Sequence, residues 1–191
     1  MRSPPPLRLI AGVAALALFN LWITWRAKAI EMGARLQTAP SPLIGKPAPE
    51  FAAESLDGKR IFLSDYGGKT LVATFWASWC GPCRLELPAL AKLYQQQHKA
   101  DSLFEILAIS IDSARQNAAG AAKTLRLPFP VLLDLDNRIS DAYHVEAIPV
   151  MFVIDRNGKV VSSHTGFSMS LDFMLAQELG IKNYNPVGDG K

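Results

Sequence analysis

The chain has 191 residues, which is long enough for one domain with a hydrophobic core and additional terminal segments. Hydrophobic residues make up 49% of it and charged residues 19%, as in an ordinary globular protein. The net charge of +3 is small and scattered along the chain, so we expect no nucleic-acid partner.

An uncharged run of 17 residues extends from Leu9 to Trp25 near the N-terminus, with basic residues on both sides. As a helix it would be about 26 Å long, close to the roughly 30 Å of a bilayer's hydrocarbon core. We therefore predict a membrane anchor over residues 1–28, a single transmembrane helix with its N-terminus in the cytoplasm. A signal peptide cleaved near Ala27–Ala29 is the alternative interpretation.

The rest of the chain divides by composition into three parts. Residues 29–42 are rich in alanine, proline and polar residues, which indicates a linker. Strand-like and helix-like patterns alternate over residues 43–182 and predict one domain of mixed α/β structure. Residues 183–191 have the composition of a flexible tail.

Apolar runs and turn residues predict the elements of this domain in chain order. Asp57–Gly58 lies between two apolar pieces and predicts a β-hairpin over residues 51–63. Near-continuous apolar runs predict strands buried on both faces at 70–76 and 104–111. Further along, we expect helices over 113–125, 137–144 and 170–179, an extended piece over 129–133, and an antiparallel strand pair over 149–155 and 159–164.

The two cysteines of the chain, Cys80 and Cys83, follow the first buried strand and are separated by Gly81 and Pro82. A helix is expected from Cys80 onward, with a kink at Pro88. Its buried side is predicted to carry Leu85, Leu87, Leu90, Leu93 and Tyr94.

This arrangement suits thiol–disulfide chemistry. At a helix N-terminus, unpaired N–H groups and the helix dipole lower the pKa of a thiol, so Cys80 is the expected nucleophile. Cys83 lies one turn deeper and can attack a mixed disulfide formed at Cys80. Pro82 loses no needed hydrogen bond in the first turn, and Gly81 leaves room for a partner chain.

The cysteine pair also has structural and metal-binding interpretations. A structural disulfide across so short a loop would remove little entropy from the unfolded chain. A zinc site needs four ligands, but the chain has no second Cys-x-x-Cys and its three histidines are scattered. We therefore expect no metal and no cofactor. A non-catalytic carrier that holds Cu(I) between the two thiolates stays open as an alternative.

The segment FWASWCGPC resembles the thioredoxin active site, and the wider pattern is similar to the TlpA/ResA/DsbE branch of membrane-anchored thioredoxin-like proteins. The resemblance covers roughly residues 43–182 and implies a thioredoxin fold, in which helices flank a central mixed sheet. It also implies an N-terminal hairpin extension and an inserted helix between Ile111 and Pro130. The matching segments are LSDYGGKTLVATFWASWCGPCRLELP, FEILAISID and YHVEAIPVMFVIDRNGKVV.

The resemblance implies roles for residues around the cysteines. Pro149, which follows Ile148, corresponds to a cis-proline that faces the cysteine pair and helps to hold a substrate backbone. Trp76 is expected to pack below the site, and Trp79 to cap it. Two departures from many relatives, Ala147 and Val150, flank this proline segment and bear on substrate preference.

The branch also differs from thioredoxins proper in its acidic group. Thr74 and Ala108 stand where thioredoxins proper have a buried aspartate and its lysine partner. Glu86, three residues after Cys83, matches a glutamate of the ResA/TlpA branch that could take the Cys83 proton as a general base. The alternative is a solvated glutamate on the helix surface.

The function implied by the resemblance is a thioredoxin-like protein-disulfide reductase in the bacterial periplasm, tethered to the inner membrane. Its expected partners are protein disulfides and a membrane electron donor of the DsbD/CcdA type. Family roles include reduction of apocytochrome c in cytochrome c biogenesis and of cysteines in metalloproteins. A disulfide oxidase or isomerase is the alternative, and a peroxidase of the peroxiredoxin group would need a motif that the chain does not resemble.

Overall fold

The computed structural model of the chain describes residues 16–26, 28, 41–99, 102–182 and 184–185. The chain divides into two units, Met1–Ala39 and Pro40–Lys191. In the first unit, residues 16–26 are helical, and the guanidinium of Arg26 lies 5.0 Å from the centre of the Trp22 ring.

The expected membrane anchor is only partly covered by the described residues. Residues 1–15 of the predicted anchor and residues 29–40 of the predicted linker lie outside them. Among the described residues, no helix has both the length and the apolar character needed to cross a membrane.

A seven-stranded mixed sheet forms the centre of the second unit, in the order β2-β1-β5-β4-β3-β6-β7. Strands β3, β4 and β5 run parallel to one another, while each outer strand is antiparallel to its neighbours. The strands are β1 (Ala52–Ser55), β2 (Arg60–Phe62), β3 (Thr70–Trp76), β4 (Phe104–Ser110), β5 (Val131–Leu133), β6 (Val150–Ile154) and β7 (Val160–Thr165). The mixed sheet and the N-terminal hairpin predicted from the sequence are confirmed.

Helices cover both faces of this sheet. They are α1 (Gly81–Gln97), α2 (Arg115–Leu125), α3 (Arg138–Ala142) and α4 (Leu171–Glu178), with a 3-10 turn at Leu63–Tyr66. Helix α2 occupies the predicted insertion between β4 and β5. Arg115 at its start ties it to the hairpin, since its guanidinium donates to Glu54 Oε1 at 2.7 Å and to the Leu56 carbonyl at 2.9 Å.

Side chains alternate along β3 between two hydrophobic cores, as the pleat of a strand requires. Val72 and Trp76 join the core under α1 and α4, which also contains both cysteines. Leu71 and Phe75 join the opposite core, where Tyr143 packs against Phe75 with ring centres 5.4 Å apart. The central strand is therefore buried on both faces, and its sequence is apolar almost throughout.

The predicted buried face of α1 needs one correction. Leu87, Leu90 and Leu93 are buried, but Leu85 is 67% exposed. A helix turns about 100° per residue, so Leu85 points about 200° away from Leu87 and faces solvent. The helix also continues through Pro88 to Gln97 as one element.

The predicted tail over residues 183–191 also needs a correction at Tyr184. This side chain is buried, and its hydroxyl donates to Asp172 Oδ2 of α4 at 2.6 Å. The packed part of the chain therefore extends into the segment that composition alone assigned to a flexible tail.

Candidate active site

The cysteine pair lies where strand β3 passes into helix α1. Cys80 is the N-cap residue of α1, with φ −80° and ψ 104°, and its Sγ accepts a hydrogen bond from the backbone N–H of Cys83 at 3.2 Å. The two cysteines form a disulfide in the structure. The sulfur of Cys80 therefore occupies the position at which the first turn of a helix stabilises an anion.

The surroundings of the pair distinguish the two sulfurs. Cys80 is 6% exposed and Cys83 is 1% exposed, so an incoming substrate reaches Cys80 first. Gly81 and Pro82 are exposed in the first turn, and among the described residues a Cβ placed on Gly81 would meet no atom within 4 Å beyond its chain neighbours and its own helix backbone. The space above the helix start is open to a partner chain.

The two tryptophans of the motif differ in exposure. Trp76 is fully buried in the core that holds both cysteines. Trp79 is 68% exposed and directly precedes Cys80. Its large apolar ring on the surface suits contact with a protein partner.

The Ile148–Pro149 peptide bond is cis, as expected. Antiparallel pairing matches Phe75 of β3 with Val150 of β6, which places Pro149 next to the end of β3 that leads to the cysteines. The Pro149 carbonyl accepts the N–H of Gly166 at 2.8 Å, while Ile148 is partly buried and packs against both cores. The proline segment is thus fixed beside the redox pair.

Glu86 is buried, which excludes the interpretation of a solvated surface glutamate. The residue is 4% exposed, its Oε2 atom has no hydrogen-bond partner among the residues that the structure describes, and burial raises the pKa of its carboxyl group to about 7. Glu86 lies three residues after Cys83, and both are on the buried side of α1, where residues three positions apart are neighbours. A group with such a pKa can exchange protons near neutral pH.

The buried acid of thioredoxins proper has no counterpart in the sheet at the expected place. Thr74 of β3 pairs in register with Ala108 of β4, and both are buried. These two positions are neighbours, as the resemblance implies, but neither carries an ionisable group. Glu86 is therefore the buried acidic residue on the helix that carries the cysteines.

One polar cluster beside the site was missed from the sequence. Asp112 follows strand β4, and its buried carboxylate contacts Ser78 in the loop before Cys80. The sequence feature that could have indicated this cluster is a polar residue two positions after a buried strand, at the sheet edge where parallel strands end.

Exposed apolar side chains occur in the segments next to the cysteine pair and to the cis-proline. Trp79 directly precedes Cys80, and Phe167 and Met169 follow Gly166, the residue bound to Pro149. Such side chains suit an extended polypeptide better than a small polar molecule.

Comparisons with known proteins agree with this geometry. Residues 44–163 match the AhpC/TSA family. The thiol-disulfide oxidoreductase ResA of Bacillus subtilis (strain 168) is 39% identical over 133 residues, which cover 68% of this chain and 73% of that protein. A crystal structure from Chlorobium tepidum, assigned as thiol:disulfide interchange protein DsbE, is 34% identical with a TM-score of 0.65, covering 71% of this chain and 94% of that chain. A solution structure from Bacteroides thetaiotaomicron, assigned as a protein disulfide isomerase, is 32% identical with a TM-score of 0.67 over 72% of this chain and 87% of that chain.

Proposed function

Because the chain belongs to the AhpC/TSA thioredoxin-like family and is a thiol–disulfide oxidoreductase of the TlpA/ResA/DsbE type, we propose that it acts chiefly as a reductant of extracytoplasmic protein disulfides. The observation that carries thiol–disulfide exchange at this site is the position of Cys80, whose sulfur caps helix α1 close to the cis-proline segment, while the reductant direction rests on the family resemblance. A protein substrate would reach this sulfur across the open first turn, between Trp79 and the loop that follows Gly166.

The first step is attack by the Cys80 thiolate on a substrate disulfide. A bond forms between Cys80 Sγ and one substrate sulfur while the substrate S–S bond breaks, and the other substrate sulfur leaves as a thiolate. The N-terminus of α1 favours the attacking anion through the dipole of the helix and the N–H of Cys83.

The second step releases the substrate. Cys83 loses its proton to the carboxylate of Glu86 and attacks Cys80 Sγ, so that the Cys80–Cys83 disulfide forms and the second substrate sulfur leaves. In total, the substrate gains two electrons, its two thiolates take one proton from Glu86 and one from water, and the enzyme is left as the disulfide that the structure contains. The supporting observation for Glu86 is its buried carboxyl group, with a pKa of about 7, one turn after Cys83.

Return to the dithiol requires an external donor of two electrons. We propose a membrane donor of the DsbD/CcdA type, with the catalytic domain held at the bacterial inner membrane by a helix within residues 1–28. The uncharged run from Leu9 to Trp25 and the family resemblance support this arrangement. The exposed apolar side chains of Trp79, Phe167 and Met169 favour unfolded proteins as substrates, such as apocytochrome c or the apo form of a metalloprotein.

The reduction potential of the Cys80–Cys83 pair tests the direction of electron flow. The purified full-length chain is equilibrated in graded thiol–disulfide buffers at pH 7, and the fraction of disulfide is measured by alkylation and mass spectrometry. For a reductant we expect a potential below about −180 mV, the value of protein disulfide isomerase, and far below the roughly −120 mV of the oxidant DsbA. A potential near that of DsbA would assign an oxidase and end the reductant proposal.

Two variants, mixed with a disulfide-bonded protein substrate and analysed by mass spectrometry, check the assigned roles. Cys83→Ser should accumulate a mixed disulfide with a protein substrate, whereas Cys80→Ser should form none, because Cys80 is the more exposed sulfur and the expected nucleophile. Consumption of hydrogen peroxide without any disulfide substrate would instead favour a peroxidase.

A further inference from the structure

The carboxylate of Asp112 holds the loop that presents Cys80. Asp112 lies two residues after β4 and is 1% exposed. Its Oδ2 accepts the backbone N–H of Ser78 at 2.9 Å and the hydroxyl of Ser110 at 2.9 Å, while Oδ1 accepts the hydroxyl of Ser78 at 2.6 Å. We call these three residues, Ser78, Ser110 and Asp112, the loop anchor.

The anchor continues the pairing of two strands beyond their ends. The N–H of Ile111 donates to the Trp76 carbonyl at 3.0 Å, which carries the β3–β4 pairing one step further. Asp112 then binds Ser78, and the N–H of Cys80 closes a turn onto the Ala77 carbonyl at 3.1 Å. The segment between β3 and α1 is therefore fixed by bonds to β4 as well as by the elements on either side of it.

A buried carboxylate destabilises the folded protein unless several hydrogen-bond donors contact it. Two of the three donors to Asp112 belong to Ser78, in the loop between β3 and α1. A hydrogen bond to a charged group typically contributes more than a neutral one, and a buried N–H left without an acceptor is destabilising. Because Ser78 is two residues before Cys80, a change in its position is transmitted directly to the N-cap.

We propose that Asp112, with Ser78 and Ser110, is a positioning group that sets the reactivity of Cys80 by holding its sulfur at the N-terminus of α1. The inference rests on thiol–disulfide exchange at Cys80 and is independent of the direction of electron flow. If the anchor is lost, the position of Cys80 Sγ near the Cys83 nitrogen, 3.2 Å away in the disulfide form, is no longer enforced, and in the reduced form less of the thiol is present as thiolate at neutral pH.

The test compares variants that separate position from charge. Asp112→Ala and Asp112→Asn both remove the negative charge, but only the asparagine keeps an acceptor for the Ser78 N–H and a polar group opposite its hydroxyl. Ser78→Ala keeps the carboxylate and removes a single hydrogen bond. The measurement is the rate of Cys80 alkylation by iodoacetamide at pH 7 in the reduced full-length chain, with the modified cysteine identified by mass spectrometry.

Asp134 provides a matched control. It is another buried aspartate that follows a parallel strand, β5, and its carboxylate accepts the N–H groups of Ile139 and Ser140 at 3.0 and 2.8 Å. Asp134→Ala removes the two hydrogen bonds of that carboxylate to the start of α3, and it leaves in place the bond of 2.9 Å from the backbone N–H of residue 134 to the Ser110 carbonyl. It therefore reports the general effect of losing a buried carboxylate.

We expect Asp112→Ala to react at least threefold more slowly than Asp112→Asn, and Ser78→Ala more slowly than the unmodified chain, with Asp134→Ala unchanged. Equal rates for Asp112→Ala and Asp112→Asn would overturn the proposal, as would an equal slowing by Asp134→Ala. If Asp112→Ala does not fold, Ser78→Ala decides, and an unchanged rate for that variant overturns the proposal. Failure of the Cys80–Cys83 pair to form a reversible disulfide would instead refute the proposed function itself.

Discussion

At the scale of single residues, the buried carboxyl group of Glu86 links stability to pH. Burial raises its pKa from 4.5 to about 7, so between these values the folded protein binds more protons than the unfolded chain. Stability is then highest below about pH 4.5 for this group and falls as the pH rises toward 7. A shift of this size corresponds to roughly 3 kcal/mol of unfolding free energy.

We therefore predict that Glu86→Gln removes most of this pH dependence. Urea unfolding of the oxidised protein at pH 5 and pH 8 should show a loss of about 2–3 kcal/mol in the unmodified chain that is absent from the variant. Subtracting the pH dependence of the variant from that of the unmodified chain removes the contribution of the other ionisable groups to the unfolding free energy. Equal pH dependence in both would mean that the carboxyl group is solvated when the protein is folded.

The same variant tests the proposed general-base role of Glu86. A mixed disulfide preformed at Cys80 decays by attack of Cys83, and this rate should fall about a hundredfold in Glu86→Gln. In the unmodified chain the decay should speed up as the pH rises to about 7, where the carboxyl group loses its proton. Rapid quenching followed by mass spectrometry measures the decay. An unchanged rate in the variant would leave Glu86 with a structural role only.

At the scale of elements, the buried strands were the most predictable part of the fold. β3 and β4 are runs of seven residues, buried at nearly every position, so their apolar character and their ends are visible in the sequence. Helix α1 was harder, because leucines at both Leu85 and Leu87 cannot lie on one face of a helix. Periodicity alone did not identify which of them faces the core.

The candidate site was also only partly predictable from local sequence patterns. The cysteine pair, the cis-proline and Glu86 were identified because local motifs place them, whereas the loop anchor was not. Its central bonds join Ser78 to Asp112 across 34 positions, and they exist only because parallel strands β3 and β4 end side by side. Contacts of this kind follow from the topology of the sheet, which a local pattern does not contain.

At the scale of the whole molecule, two features act on the redox equilibrium in opposite directions. The N-terminus of α1 stabilises a thiolate at Cys80 and so favours the reduced form. The buried core around the pair and the carboxylate of Glu86 one turn away disfavour an additional negative charge and so favour the disulfide. For a reductant, the second effect must exceed the first in the folded protein.

This balance predicts that the disulfide form unfolds at a higher urea concentration than the dithiol form at pH 7. The reduction potential and the stabilities of the two forms are linked by a thermodynamic cycle. For each 30 mV by which the potential of the pair is lower in the folded protein than in the unfolded chain, the disulfide form is more stable than the dithiol form by about 1.4 kcal/mol. Urea unfolding of both forms, followed by circular dichroism, measures the difference independently of any redox buffer. A variant with both Cys80 and Cys83 replaced by serine should unfold identically with and without reductant. Greater stability of the dithiol form would identify an oxidant, because oxidants such as DsbA are stabilised in their reduced state.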